Sequence, residues 1–227
     1  MFVVTGAGRG IGLELTTQWL ARGDRVIATY RDDRGKAQLE AIGSAGGDLR
    51  LVQLDVRDAG SVAALAAALD GTPIDVLVNN AGVMASSAPS LAAMDHEEWL
   101  DTFLVNVQGP YRVTTALLPN LQAGTRPRVV TLSSIMGCLH RASPGYYGYR
   151  SSKAALNKVM QLLANDLAPL GIIACPVHPG WVQTDLGGPG AELPVREAVA
   201  GLVALIDQLT PDHTGRFWEW NGTELAW

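Results

Sequence analysis

Short apolar runs alternate with amphipathic stretches along the whole chain. "FVVT" (2–5), "RVIATY" (25–30), "LRLVQLD" (49–55), "IDVLVNN" (74–80), "RVVTLSS" (128–134) and "GIIACPVHP" (171–179) are rich in Val, Ile and Leu and predict strands. Helix-like segments near 10–22, 35–45, 59–70, 95–120, 150–168 and 195–209 separate them. Near-continuous aliphatic strands alternating with helices predict a parallel sheet covered on both faces. Right-handed crossovers then give a doubly wound α/β fold. No linker, repeat or low-complexity stretch interrupts the pattern, so residues 1–227 read as a single domain. The stretch "GRFWEWNGTELAW" predicts a last edge strand with an aromatic cap, bringing Trp218, Trp220 and Trp227 together.

Composition narrows the class. Of 227 residues, 48% are hydrophobic and 17% charged, which is globular rather than disordered. The net charge of −5, with no basic stripe, argues against a nucleic-acid partner. Cys138 and Cys175 form no CxxC pair, so a reducing, cytoplasmic setting is expected. "MFVVTGAGRG" carries no secretory pattern, and no apolar run reaches the length of a bilayer span. No His/Cys/Asp cluster at ligand spacing points to a metal.

The candidate chemistry begins at "TGAGRGIG" (5–12), which follows the first strand and opens the first helix. Gly6, Gly10 and Gly12 permit a tight turn and close backbone approach to a pyrophosphate. The helix N-terminus supplies free N–H groups and the positive end of a dipole. This predicts a Rossmann-type dinucleotide fold. The second strand ends at Tyr30, where an acid would bind a ribose 2′-OH; Arg31 follows, and Arg9 lies inside the glycine loop. Two guanidinium groups there favour a 2′-phosphate, so NADP(H) is preferred and NAD(H) is the alternative. Asp32 and Asp33 weigh against that preference.

"YGYRSSKAAL" (147–156) places Tyr149 one helical turn before Lys153, on one face. Tyr146 and Tyr147 lack such a lysine and read as packing residues or as the lining of a substrate mouth. "MDHEEW" (94–99) predicts a helix start with Asp95 as N-cap, Glu98 at N3, and a Met94–Trp99 staple. That helix should continue past Asn106. Pro110, four residues on, has no N–H, so the Asn106 carbonyl loses its helical partner and could hold a water leading towards Lys153.

These residues, in this order, resemble the short-chain dehydrogenase/reductase family over essentially the whole chain. "LDV" (54–56), "NNAG" (79–82), "VNVQG" (105–109), "SS" (133–134), "YRSSK" (149–153) and "HPGWVQTD" (178–185) join the glycine motif. "YRSSKAALN" and "HPGWVQTDLGG" look most like the C-factor and sniffer-type carbonyl reductase branch. The resemblance implies Asn106, Ser134, Tyr149 and Lys153 as catalytic residues. It implies a cofactor held by Gly6, Arg9, Gly10, Ile11, Gly12, Arg31, Asp55, Val56, Asn80, Ala81 and Gly82, with Tyr149, Lys153, Pro179, Gly180, Val182 and Thr184 around the nicotinamide. The family's commonest spacing back from Tyr149 would land on Met136; Ser134 lies two residues further, and is taken over Ser133.

Hydride transfer to a carbonyl leaves an alkoxide that needs a proton. Lys153 and the oxidised cofactor's charge are expected to bring the Tyr149 phenol towards neutral pH, with Ser134 orienting the substrate oxygen. The resulting expectation is an NADP(H)-dependent reductase of a small ketone or aldehyde, or dehydrogenase of the corresponding alcohol. A loop at about 185–194 covers the substrate, and family resemblance implies a homodimer or homotetramer. The alternative is a cofactor-binding regulatory protein with little turnover. A serine hydrolase is disfavoured, since no GxSxG elbow is present. His140, close after Ser134, is within reach of a substrate, though a lone histidine is more often structural or solvated; His178, before Pro179, reads as packing at the strand end.

Overall fold

The computed structural model describes residues 1–44, 46–84, 95–141 and 143–227. One sheet organises them, in the order β3-β2-β1-β4-β5-β6-β7-β8. Its strands are β1 (Phe2–Val4), β2 (Val26–Tyr30), β3 (Leu49–Gln53), β4 (Val76–Asn79), β5 (Arg128–Leu132), β6 (Ile173–His178), β7 (Phe217–Glu219) and β8 (Glu224–Leu225). Every neighbouring pair is parallel except β7 with β8. The predicted edge strand is therefore a hairpin, and its two-residue second arm is too short to read from sequence.

Alternation along each strand divides the interior into two layers. Val3, Ile27, Leu77, Val129 and Ala174 face one core; Val4, Ala28, Val78, Val130 and Cys175 face the other. The first is closed by α3 (Ala59–Ala68), α5 (Gly109–Ala116), α6 (Leu118–Gln122) and α7 (Tyr147–Leu167). The second is closed by α1 (Gly10–Arg22), α2 (Asp33–Gly43) and α8 (Val195–Gln208). The doubly wound α/β reading holds. Both cysteines are free and buried.

The predicted helix 95–120 is divided. Asp95 caps α4 (His96–Phe103) by accepting from the amides of Glu97 and Glu98; Met94 lies outside the described residues. The helix then widens into a π-turn, Leu104–Gln108, before α5. Gly109 N–H reaches back five residues to the Leu104 carbonyl. The missing N–H of Pro110 thus follows directly on a change of helical pitch around Asn106, where the sequence suggested a simple loss of one bond.

The far end of the chain returns to the connection between β5 and α7. There the Cys138 thiol meets the Ala226 carbonyl, His140 Nδ1 lies 3.0 Å from the Trp227 oxygen, and Trp227 stacks on Phe217. Among the described residues, no helix is long and apolar enough to cross a membrane.

Candidate active site

The carboxyl ends of β1, β2 and β4 open on a cleft of about 660 Å³. The glycine turn forms its floor, where the topology reverses direction. Gly6, Arg9, Gly10 and Ile11 line it, as do Asn80, Ala81 and Gly82 from the end of β4. The two segments are stapled together: Asn80 Nδ2 donates to the carbonyls of Thr5 (2.8 Å) and Gly6 (2.9 Å). The Thr5 hydroxyl accepts from the amides of Asn80 and Ala81. Gly12 lies behind this wall, against the Asn80 amide.

Gly8 is a further member of this site, one that the sequence reading passed over. A Cβ on Gly8 would stand 2.5 Å from the Cα of Gly35 in α2. This backbone-to-backbone approach leaves the loop concave at the place a diphosphate would occupy, so the residues present fit such a group. At one end of the cleft stand Arg31 and also Arg34, while Arg9 lines it from the glycine turn and is paired with Asp185. Asp32 is largely committed elsewhere: it caps α2 by accepting from Gly35 N at 2.9 Å, and pairs with Arg31 at 3.6 Å. Asp55 and Val56 line the wall after β3. The Arg57 guanidinium holds the Asp55 carboxyl below its ordinary range.

At the opposite end, Tyr149 and Lys153 project from the start of α7 into the cleft. They are 8% and 5% exposed. Lys153 Nζ sits 5.7 Å from the centre of the tyrosine ring and donates to the Leu132 carbonyl at 2.8 Å. Burial pushes its pKa down to about 8. Burial also raises the Tyr149 phenol, and the facing Ser134 hydroxyl partly opposes that rise. Desolvation dominates both groups.

The two adjacent serines separate cleanly. Ser133 borders the cleft, yet its hydroxyl donates at 2.5 Å to Asn157 Oδ1 inside the core. Ser134 turns the other way, accepting from Met136 N at 3.1 Å and facing Tyr149. The short turn Ile135–Gly137 that follows packs Gly137 directly on the backbone of Lys153.

Asn106 is fully buried and does not reach the cleft wall. Its side chain accepts from Val83 N at 2.9 Å and donates to Val83 O at 2.8 Å and Ser152 Oγ at 3.0 Å. It fixes the strand end beneath Gly82, at the level of Lys153.

Pro179 and Thr184 line the cleft beyond β6, joined by Gln183, Asp185 and Leu186. Gly180 and Val182 stand behind them: Gly180 packs on Leu193 and Trp220, and Val182 is buried and bridges Leu193. The 185–194 loop is anchored by Trp181, whose indole donates to the Gly187 carbonyl at 2.8 Å. Arg9 joins it to the glycine turn through Asp185 at 3.3 Å. His178 is held near pKa 4 by burial and by the charge of Arg141. Tyr146 and Tyr147 are 44% and 41% exposed, away from Lys153's line. Among the described residues, no group of His, Cys, Asp and Glu could hold a metal.

A phosphate-turn cleft with a tyrosine–lysine pair at its far end defines a nucleotide-dependent oxidoreductase, and this chain belongs to the short-chain dehydrogenase family, whose model matches residues 1–192. The chain is 46% identical over 156 residues to the C-signal protein of Myxococcus xanthus, covering 68% of this chain and 93% of that one. Its fold is similar to that of the carbonyl reductase Sniffer of D. melanogaster, with a TM-score of 0.93, 31% identity, and coverage of 100% and 98%. An NADPH-bound carbonyl reductase from chicken fatty liver gives 0.92 and 30%, with the same coverage.

Proposed function

We propose that this protein is an NADP(H)-dependent reductase interconverting a ketone or aldehyde with the corresponding alcohol. The observation that carries the reading is the shared cleft, which a diphosphate cradle and three arginines line together with a buried phenol and ammonium. NADPH, when bound, supplies the hydride. Gly6 to Ile11 and Asn80 to Gly82 would hold it, with Asp55 towards the adenine, and Arg9, Arg31 and Arg34 would attract its 2′-phosphate. Tyr149, a phenol and so protonated at neutral pH, delivers its proton to the nascent alkoxide. Ser134 hydrogen-bonds the same oxygen. Lys153 holds the ribose side of the site and passes a proton towards Tyr149. Asn106 fixes the backbone beneath them.

Family membership and the exposed Leu100, Tyr111 and Leu162 on α4, α5 and α7 support a homodimer or homotetramer, which light scattering tests. Steady-state kinetics with NADPH on a panel of aliphatic and aromatic carbonyls test the activity. Turnover that Tyr149→Phe abolishes, with NADPH binding retained, is expected. Tight NADPH binding without turnover on any of them would make the chain a cofactor-binding regulatory protein instead.

A further inference from the structure

Arg57 joins the adenine wall of the cleft to the turn that carries Asn106. Its guanidinium forks around the Asp55 carboxylate, Nε to Oδ1 at 3.0 Å and Nη2 to Oδ2 at 2.6 Å, while its amide donates to Oδ1 at 2.9 Å. The remaining nitrogen, Nη1, donates to Asp101 Oδ1 on α4 at 3.0 Å. The Arg57 carbonyl accepts from Arg112 Nη1 on α5 at 2.5 Å, and Arg112 Nη2 is fixed on Gln108 Oε1 at 2.8 Å. Asp101 precedes the π-turn and Arg112 follows it, so both sides of the turn end on one residue. Between them, Val56 packs so closely on Gly109 that a Cβ there would meet Val56 Cγ2 at 2.9 Å.

A π-turn contains one residue more than an α-helix needs, and such turns cluster at functional sites. If it slipped back to α-helical register, Asn106 would rotate by about 100° and lose Val83 and Ser152. Something must hold the wider register. Single ion pairs on a half-exposed surface contribute little. A forked arginine bound to two carboxylates, with its own carbonyl engaged, is a fixed three-way joint.

We infer that Arg57 is a positioning residue: it braces the π-turn, and so Asn106, through Asp101 and Arg112, while holding Asp55 at the cofactor wall. This rests on the carbonyl-reductase reading, in which Asn106 supports Tyr149 and Lys153. The two arms have separate consequences. The Asp55 arm bears on cofactor affinity; the Asp101 arm bears on Asn106 and hence on turnover.

Three variants read the arms apart. Asp101→Ala, at an exposed side chain, is expected to lower kcat several-fold and shift the pH profile of kcat, with NADPH affinity unchanged. Arg57→Met should lower kcat and NADPH affinity, each by about tenfold, the size of one charge-assisted hydrogen bond. Arg57→Lys should recover affinity more than kcat, since one ammonium cannot span both carboxylates. In all three, hydrogen exchange at the Val83 amide should quicken, because that amide reports Asn106 directly. Wild-type kcat, pH profile and Val83 protection in Asp101→Ala and Arg57→Met would overturn the inference, whatever the change in melting temperature. If the wild type reduces no carbonyl, the activity reading fails, and Val83 exchange in the same variants still decides the brace.

Discussion

Lys153 Nζ and the Leu132 carbonyl meet at 2.8 Å, joining the first turn of α7 to the end of β5. A buried ammonium held by one carbonyl costs stability. Its pKa falls from 10.5 to about 8 on folding, which corresponds to roughly 3 kcal/mol of cost below pH 8. Because the unfolded chain holds this proton up to higher pH, the relief begins as pH rises through 8 and is complete above 10.5. Lys153→Met should therefore melt at higher temperature than the wild type at pH 7 while losing turnover. Calorimetry at pH 7 and pH 10 checks both, and the stability gap between the two proteins should shrink at the higher pH.

Ser133 and Ser134 should respond differently. Ser133→Ala strands the Asn157 side chain in the core and should cost about 1–3 kcal/mol, read as a lower melting temperature, with turnover retained. Ser134→Ala removes the acceptor that caps the Met136 amide and should cost about 0.5–2 kcal/mol, but it should also lower kcat at least tenfold, since it removes a hydrogen bond to the reacting oxygen. Kinetics and thermal melts on the pair distinguish them.

Arg31→Ala and Arg34→Ala should each weaken NADPH binding by roughly tenfold and NADH binding far less. Fluorescence titrations at low and high salt check this. The preference for NADPH over NADH should narrow as salt screens the exposed guanidinium groups. Equal losses for both cofactors would mean that neither arginine meets the 2′-phosphate.

Gly8 and Gly35 face each other, and substitutions there should be unequal. Alanine at Gly8 forces its Cβ to 2.5 Å from the Gly35 backbone, whereas alanine at Gly35 meets nothing closer than 3.4 Å. Gly8→Ala should lose cofactor affinity and stability together. Gly35→Ala should be close to wild type, as melts and NADPH titrations will report.

The strands and helices were legible because aliphatic runs and amphipathic stretches alternate without interruption, and the two-layer core follows from that pattern. The tyrosine–lysine pair was legible because helical spacing alone puts both side chains on one face. What sequence left open was spatial. Neighbouring hydroxyls at 133 and 134 point to opposite sides of one strand end, and only the partner, Asn157, distinguishes them. Arg34 enters the site because Asp32 starts α2 there, and Gly8 because α2 leans on the loop. The π-turn was half legible: Pro110 announced a missing donor, while the change of pitch depends on the contacts around it. The depth at which Tyr149 and Lys153 are buried was not legible, because no motif records burial.

The contacts of Ala226 and Trp227 with Cys138 and His140 span 88 and 87 residues of chain. They fasten the connection between Ser134 and Tyr149 to the edge hairpin. Closing loops of that length is slow compared with local helix formation. The catalytic end of the cleft should therefore mature late. On refolding, helical circular dichroism should recover ahead of turnover.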